Sequence, residues 1–267
     1  RLLSTPAAPT VIDVCIDDDF NEDPRVIPTA IRHSFTDIEA LVEKPDIKQV
    51  VVVCQKGLKL SQGAAALLRL RGIRADSLEG GNFAWRDASQ SLIPVAKIPE
   101  LNNLSQNILK NRTSSLWVTR ARPKIDRIAC PWLIRRFVDP NAGFLFVGPS
   151  EVKSVAEKFN AIPFDVDGVF WRHREDQCTF DTMIEELALD TDDLKKLAVI
   201  IRGADTNNLE SSPQASGLLA MSLGLSRMYS DDLEQLEAGM IFYDALFRWV
   251  RDASREQHIH EVNMGNK

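Results

Sequence analysis

Residues 47–72 read IKQVVVVCQKGLKLSQGAAALLRLRG, and this stretch decides the fold of the first half. Val50 to Val53 form an unbroken apolar run, the pattern of a strand buried on both faces of a parallel sheet. A polar loop containing Gly57 follows, and Ser61 then opens a helix that Gly72 closes. On the N-terminal side, TVIDVCI (10–16) reads as a short β-branched strand. FTDIEALVEK (35–44) reads as a helix with Thr36 at its N-cap. On the other side, IRADSLEGG (73–81) is a strand ending in a glycine turn. Strands and helices alternating at this length specify an α/β domain with a doubly wound parallel sheet.

The second half has a different pattern. LWVTRARP (116–123) is a strand stopped by proline, and CPWLIRRFVD (130–139) is a helix with Pro131 at its first position. GFLFVG (143–148) and GVFWRH (168–173) read as strands. Three helices close the chain: TFDTMIEELAL (179–189), DDLKKLAVIIRGA (192–204) and SDDLEQLEAGMIFYDALFRWVRDA (230–253), the last with Ser230 as its N-cap. This half is an α+β domain with a helical C-terminal half. Residues 93–114 carry two prolines and several Asn and Ser. The expected division is a first domain over 1–105, a linker over 106–114 and a second domain over 115–267.

Composition narrows the class. With 267 residues, 44% hydrophobic and 26% charged, the chain is ordinary globular protein and not disordered or fibrous. No apolar stretch approaches the roughly 20 residues that cross a bilayer, and the first ten residues are too short and proline-broken for a secretory signal. Cys15, Cys54, Cys130 and Cys178 lie far apart with no CxxC, against a disulfide scaffold or a Cys-only zinc site. A reducing cytoplasm is the expected compartment. Residues 1–114 hold 14 basic and 14 acidic side chains, residues 115–267 hold 18 and 24, so the net charge of −6 lies wholly in the second half. Yet Lys110–Arg136 contains eight Lys or Arg and one acid, Asp126. Three readings of Arg127, Arg135 and Arg136 in that stretch stand open: internal ion pairs, a site for a small dianion such as chromate or sulfate, or nucleic-acid phosphates. Nucleic acid ranks last, since the half is acidic and lacks a DNA-binding motif.

Cys54 sits where a buried strand gives way to a loop and a helix. Loop N–H groups converge there and the helix N-terminus adds about half a positive charge, which favours a thiolate. Here the sequence resembles the rhodanese family of sulfurtransferases over residues 8–92. The resemblance rests on Val11–Val14, the loop Cys54-Gln55-Lys56-Gly57-Leu58-Lys59, and Leu78-Glu79-Gly80-Gly81 before Trp85. It implies a Cys54 nucleophile carrying sulfane sulfur from a small donor such as thiosulfate to a thiol acceptor, with no cofactor. The implied persulfide loop is Gln55, Lys56, Gly57, Leu58, Lys59 and Ser61, with Asp13 as a structural acid. Lys59 stands where many family loops have Arg, and Leu60 intervenes before Ser61.

TRARPKIDRIACPWLIRRFVDP (119–140) followed by FWRHREDQCTFDTMIEEL (170–187) resembles the chromate-resistance family, the C-terminal domain of ChrB-type proteins. The likeness runs from about Leu116 to Ala253. The fused arrangement resembles bacterial sulfurtransferase/chromate-resistance proteins. In the residues themselves, His173, Asp176 and Cys178 crowd between a strand and a helix, with Asp205, Asp126, Arg127, Arg135 and Glu237 as further candidates. Imidazole and carboxylate suit iron, manganese or zinc, so His173 and Asp176 are the expected metal ligands. Glu237 and Asp244 share a face of the last helix and are also read as ion-pair partners for arginines. Together these features imply sulfur transfer through a Cys54 persulfide, linked to chromate or oxidative-stress resistance. The alternative is a non-enzymatic sensor or regulator that binds a metal, chromate or another oxyanion. No membrane partner is expected.

Overall fold

The computed structural model of the protein describes residues 2–43, 47, 49–97 and 114–256. Residues 106–113 of the expected linker, and the tail histidines His258 and His260, lie outside them.

The first half is built on β1 (Thr10–Asp13), β3 (Ile31–Arg32), β4 (Gln49–Val53) and β5 (Arg74–Ser77). They form one sheet in the order β3-β1-β4-β5, and every pairing is parallel. β2 (Arg25–Val26) pairs antiparallel with β6 (Ile93–Pro94) to one side. Helices α1 (Asp17–Glu22), α2 (Lys59–Leu70) and α3 (Gly81–Asp87) intervene. The apolar run of β4 behaves as its composition demands, with Val50, Val52 and Val53 fully buried. Helix α2 starts two residues earlier than Ser61 and buries Ala64, Ala65 and Leu68 along one face. The run around Thr36 is not an α-helix capped by that residue. It is a 3₁₀ segment, Phe35–Glu43, kinked at Asp37, and the buried Ile38 and Leu41 fit its three-residue repeat.

The second half centres on β7 (Leu116–Arg120), flanked in parallel by β8 (Gly143–Val147) and β9 (Ile162–Pro163). Helices α4 (Asp126–Leu133) and α5 (Val152–Phe159) lie between these strands in sequence. Then come α6 (Thr179–Glu186), α7 (Asp192–Asp205), α8 (Pro213–Met228) and α9 (Asp232–Arg248). The chain is thus α/β with parallel sheets, followed by a largely helical region.

Three local expectations are corrected. Pro131 does not open a helix but lies inside α4, which begins at Asp126. Lacking an N–H, it cannot close the bond to the carbonyl four residues back, and the helix passes into a π turn over Ile134–Val138. GVFWRH is not a strand: Gly168 turns the chain at φ +74°, and a single bridge joins Phe164 to Trp171. The cap of α9 is Asp231 rather than Ser230, its Oδ1 accepting from the Leu233 and Glu234 N–H groups at 2.9 Å.

The core of the second half gathers around the buried Trp132. Its ring meets Phe137, Phe180, Tyr243 and Phe247 at centroid distances of 5.3–6.4 Å. The two halves touch where the Thr29 N–H donates to the Phe137 carbonyl at 3.0 Å. Among the described residues no helix is long and apolar enough to cross a membrane.

Candidate functional sites at two parallel-strand ends

Cys54 leaves the C-terminal end of β4 into the loop before α2. Its Sγ lies 3.2 Å from Ser61 Oγ, and backbone N–H groups of Ser61, Leu58 and Lys56 also point at it. The loop is held by close backbone contact with the first turn of α3. The Asn82 and Phe83 N–H groups donate to the Cys54 and Gln55 carbonyls at 3.0 and 3.1 Å. Gly57 and Gly81 make this approach possible, both at positive φ (+66° and +59°). A Cβ on Gly81 would overlap the Cys54 carbonyl oxygen and the Gly57 nitrogen.

Burial is the largest influence on the Cys54 thiol and raises it, but the Ser61 hydroxyl and the three N–H groups outweigh burial and the net shift is downward. The other three cysteines, all free and buried, go the opposite way. Cys15 is raised by burial and then by the neighbouring Asp13 carboxylate. Asp13 itself is buried, its Oδ1 accepting from the Cys15 N–H at 2.9 Å and its Oδ2 from Asn82 at 3.2 Å. Gln55 is buried and donates to Glu22 at 2.7 Å, whereas Lys56, Leu58 and Lys59 are exposed around the loop.

In the second half, three segments converge on one imidazole. His173 Nε2 lies 3.3 Å from Asp126 Oδ2, 3.2 Å from Asp165 Oδ1 and 3.3 Å from Asp205 Oδ2. Asp126 opens α4, Asp205 closes α7, and Asp165 follows β9 in a turn at φ +52°. Asp126 is buried, and it also accepts from the first N–H groups of α6, Thr179 at 2.6 Å and Phe180 at 3.3 Å. Asp165 accepts from Arg120 at 2.9 Å and from the Thr179 hydroxyl at 3.0 Å, with Arg127 Nε at 3.4 Å.

The charges shift accordingly. Burial pushes the Asp126 carboxyl up, the Asp205 and Asp165 carboxylates push it further, and the His173 hydrogen bond opposes them. Hydrogen bonds to Asp126, Asp165 and Asp205 hold the imidazole far above its ordinary range. Burial would raise Asp165 as well, but the bonds from His173 and Arg120 bring it below the usual carboxylate range. His173 and Asp165 open onto a cavity of about 670 Å³ whose wall carries Arg120, Lys153 and Arg172.

The structure therefore brings Asp126, His173 and Asp205 together with Arg127 nearby, and sets the other candidates apart. Asp176 does not join His173: it lies exposed in the tight turn closed by Arg174 and Gln177. Cys178 is the buried N-cap of α6, its thiol and N–H both donating to Asp181. Arg135 and Glu237 pair with one another at 2.6 Å, and Arg136 grips Asp244 through two bonds of 2.8 Å. Arg122 donates to the carbonyls of Ser226, Tyr229 and Ser230. The reading of internal pairing thus describes these arginines. Asp165 and Arg120 were not among the sequence candidates. The one signal for them was position, since each lies at the C-terminal end of a parallel strand, where ligands of open α/β sheets gather.

Fold and sites together define an α/β protein with a thiol cradle at one parallel-strand end and an imidazole–carboxylate centre at another. The ChrB C-terminal domain family matches residues 117–250, half of the chain, and the chain belongs to that family. This is the chromate-resistance domain that the blocks around Arg127 and His173 resemble. Protein ChrB of Cupriavidus metallidurans is 31% identical over 169 residues, which is 61% of this chain and 50% of that protein. The chain thus spans about half the length of the curated relative it matches. Among solved structures, a Rhodopseudomonas palustris protein described as a possible tyrosine phosphatase is 25% identical. That match covers 31% of this chain and 69% of the other, with a TM-score of 0.28. Reduced Bacillus anthracis CoADR-RHD is 24% identical over 27% of this chain and 13% of its own, with a TM-score of 0.24.

Proposed function

We propose that the first half is a rhodanese-type sulfur carrier working through a Cys54 persulfide, joined to the chromate-resistance domain in one chain. The observation that carries this reading is the contrast among four buried thiols, of which Cys54 alone is shifted towards its thiolate. The thiolate attacks the outer sulfur of thiosulfate, the S–S bond breaks, and sulfite leaves with the bonding pair. Lys56, Leu58 and Ser61 N–H groups then face the charge on the bound sulfur, and a thiol acceptor removes it in a second displacement. The chemistry needs no cofactor, and the buried free thiols suit a reducing cytoplasm.

Anaerobic incubation with thiosulfate followed by intact-mass measurement tests the reading. The expected result is the gain of one sulfur atom on Cys54, lost in Cys54→Ser. Wild-type protein that gains no mass, or a Cys54→Ser variant that still forms thiocyanate from thiosulfate and cyanide, refutes it. The cavity beside His173 supports a second reading, oxyanion sensing, because Lys153 and Arg172 line it next to the Arg120–Asp165 pair and Asp167, giving a dianion such as chromate two cations to meet.

A further inference from the structure

We propose that His173, Asp126 and Asp205 bind one divalent transition-metal ion, manganese or iron, beside the cavity that His173 helps to line. The argument starts from an imbalance. A single ring nitrogen carries one N–H at most, yet three carboxylate oxygens from three different segments stand within 3.3 Å of it. Asp165 is accounted for without the imidazole, through Arg120, Arg127 and the Thr179 hydroxyl. Asp126 receives two peptide N–H groups but no arginine or lysine among the described residues. Apart from His173, Asp205 is met by the Asp126 N–H at 3.5 Å. Two carboxylates, Asp126 buried and Asp205 partly buried, are therefore turned on one exposed imidazole, and the buried Asp126 charge is costly unless neutralised.

A divalent ion resolves the imbalance. It neutralises the Asp126 and Asp205 carboxylates and takes the lone pair of a neutral imidazole. Donor atoms of these three residues already lie within 4.8 Å of one another, a separation that one ion can bridge. One imidazole with two carboxylates is a borderline-to-hard donor set, which suits manganese or ferrous iron better than thiolate-seeking metals. The ligands come from three separate elements: α4, α7 and the loop before α6. Three protein ligands would leave further positions for water or another small ligand, and of the three His173 lines the cavity.

The test uses the full chain, purified without a histidine tag, stripped with chelator and titrated with Mn²⁺ while the spin-resonance signal of the free ion is followed. About one equivalent should bind. Asp205→Asn should weaken binding by more than the ~10–100-fold that losing an outer-shell partner costs, and His173→Ala should do the same. Asp205 is the informative position because it accepts one long backbone bond, from the Asp126 N–H at 3.5 Å, whereas Asp126 accepts from two N–H groups that open α6, and an unchanged melt of the stripped Asp205→Asn protein confirms that the fold survives. Glu237→Gln, on the separate Arg135 pair, should bind as wild type does. Cys54→Ser should also bind normally, so failure of sulfur transfer leaves this proposal standing. Stripped wild-type protein that takes up neither Mn²⁺ nor anaerobic Fe²⁺ overturns the proposal. So does uptake that Asp205→Asn and His173→Ala leave unaltered.

Discussion

Replacing Gly81 by alanine attacks the Cys54 cradle without touching the thiol. The new methyl would stand at φ +59°, a backbone region that costs an L-residue about 1–2 kcal/mol. It would also overlap the Cys54 carbonyl and the Gly57 nitrogen, both backbone atoms that no rotamer can move aside. Overpacking of this kind typically costs about 1–3 kcal/mol. The expected loss is therefore about 2–5 kcal/mol, a fall in Tm of roughly 5–15 °C at this chain length. Relaxation must separate the 54–57 loop from the first turn of α3, which takes N–H groups away from the sulfur. Cys54 should then follow its burial, and its alkylation at neutral pH should slow. Gly63→Ala is the control. Gly63 lies inside α2 with open space where its Cβ would go, so alanine should stabilise by about 0.5–1 kcal/mol and leave the thiol unaltered. Thermal melts with iodoacetamide labelling and peptide mass mapping read both outcomes. A Gly81→Ala protein that melts with wild type and alkylates at the wild-type rate would refute the account of how the loop is held.

Two further outcomes are expected. The alkylation rate of wild-type Cys54 should reach half its maximum below the ~8.5 of a free cysteine, while Cys15, raised by burial and by Asp13, should stay unreactive well above it. Equal pH profiles for the two would refute the assignment. Asp244→Ala should cost about 3–5 kcal/mol, because it strands the half-buried Arg136 guanidinium and the Trp132 indole N–H together. Urea unfolding would show the loss as a lower midpoint, and a loss under about 1 kcal/mol would mean that the pair is solvated rather than buried.

How far sequence carried the reading depended on the length and uniformity of each signal. The valine run of β4 could be nothing but a buried strand, and Cys54 at its end followed directly. Helix α7 likewise has long apolar periodicity and a Thr191 cap. Helix α8 escaped notice because its buried positions are Ala215, Leu218, Ser222 and Ser226, a face of small and polar residues, while Met221, Leu223 and Met228 are exposed. Pro131 misled because proline favours the first turn of a helix, and only the packing of Trp132 and Ile128 shows that α4 started earlier. In the second site, Asp126, His173 and Asp205 were legible as residue types. Their meeting was not, because they are 47, 32 and 79 positions apart in the pairs 126–173, 173–205 and 126–205. Asp165 sits in IPFDVDG, where two aspartates look alike until a two-residue strand chooses one.

One feature of α4 reaches beyond its own domain. The same continuous helical rod that begins at Asp126 runs through the π turn to Phe137, whose carbonyl receives the Thr29 N–H of the first half. Eleven residues at ~1.5 Å each separate these ends, roughly 16 Å of stiff backbone. Pro131 and the π turn are the points at which such a rod can bend. Whatever moves Asp126 along the axis must carry Phe137 with it, stretch the π turn, or break the tie to Thr29. The chain thus has a direct helical connection from the His173 centre to the turn that precedes β3.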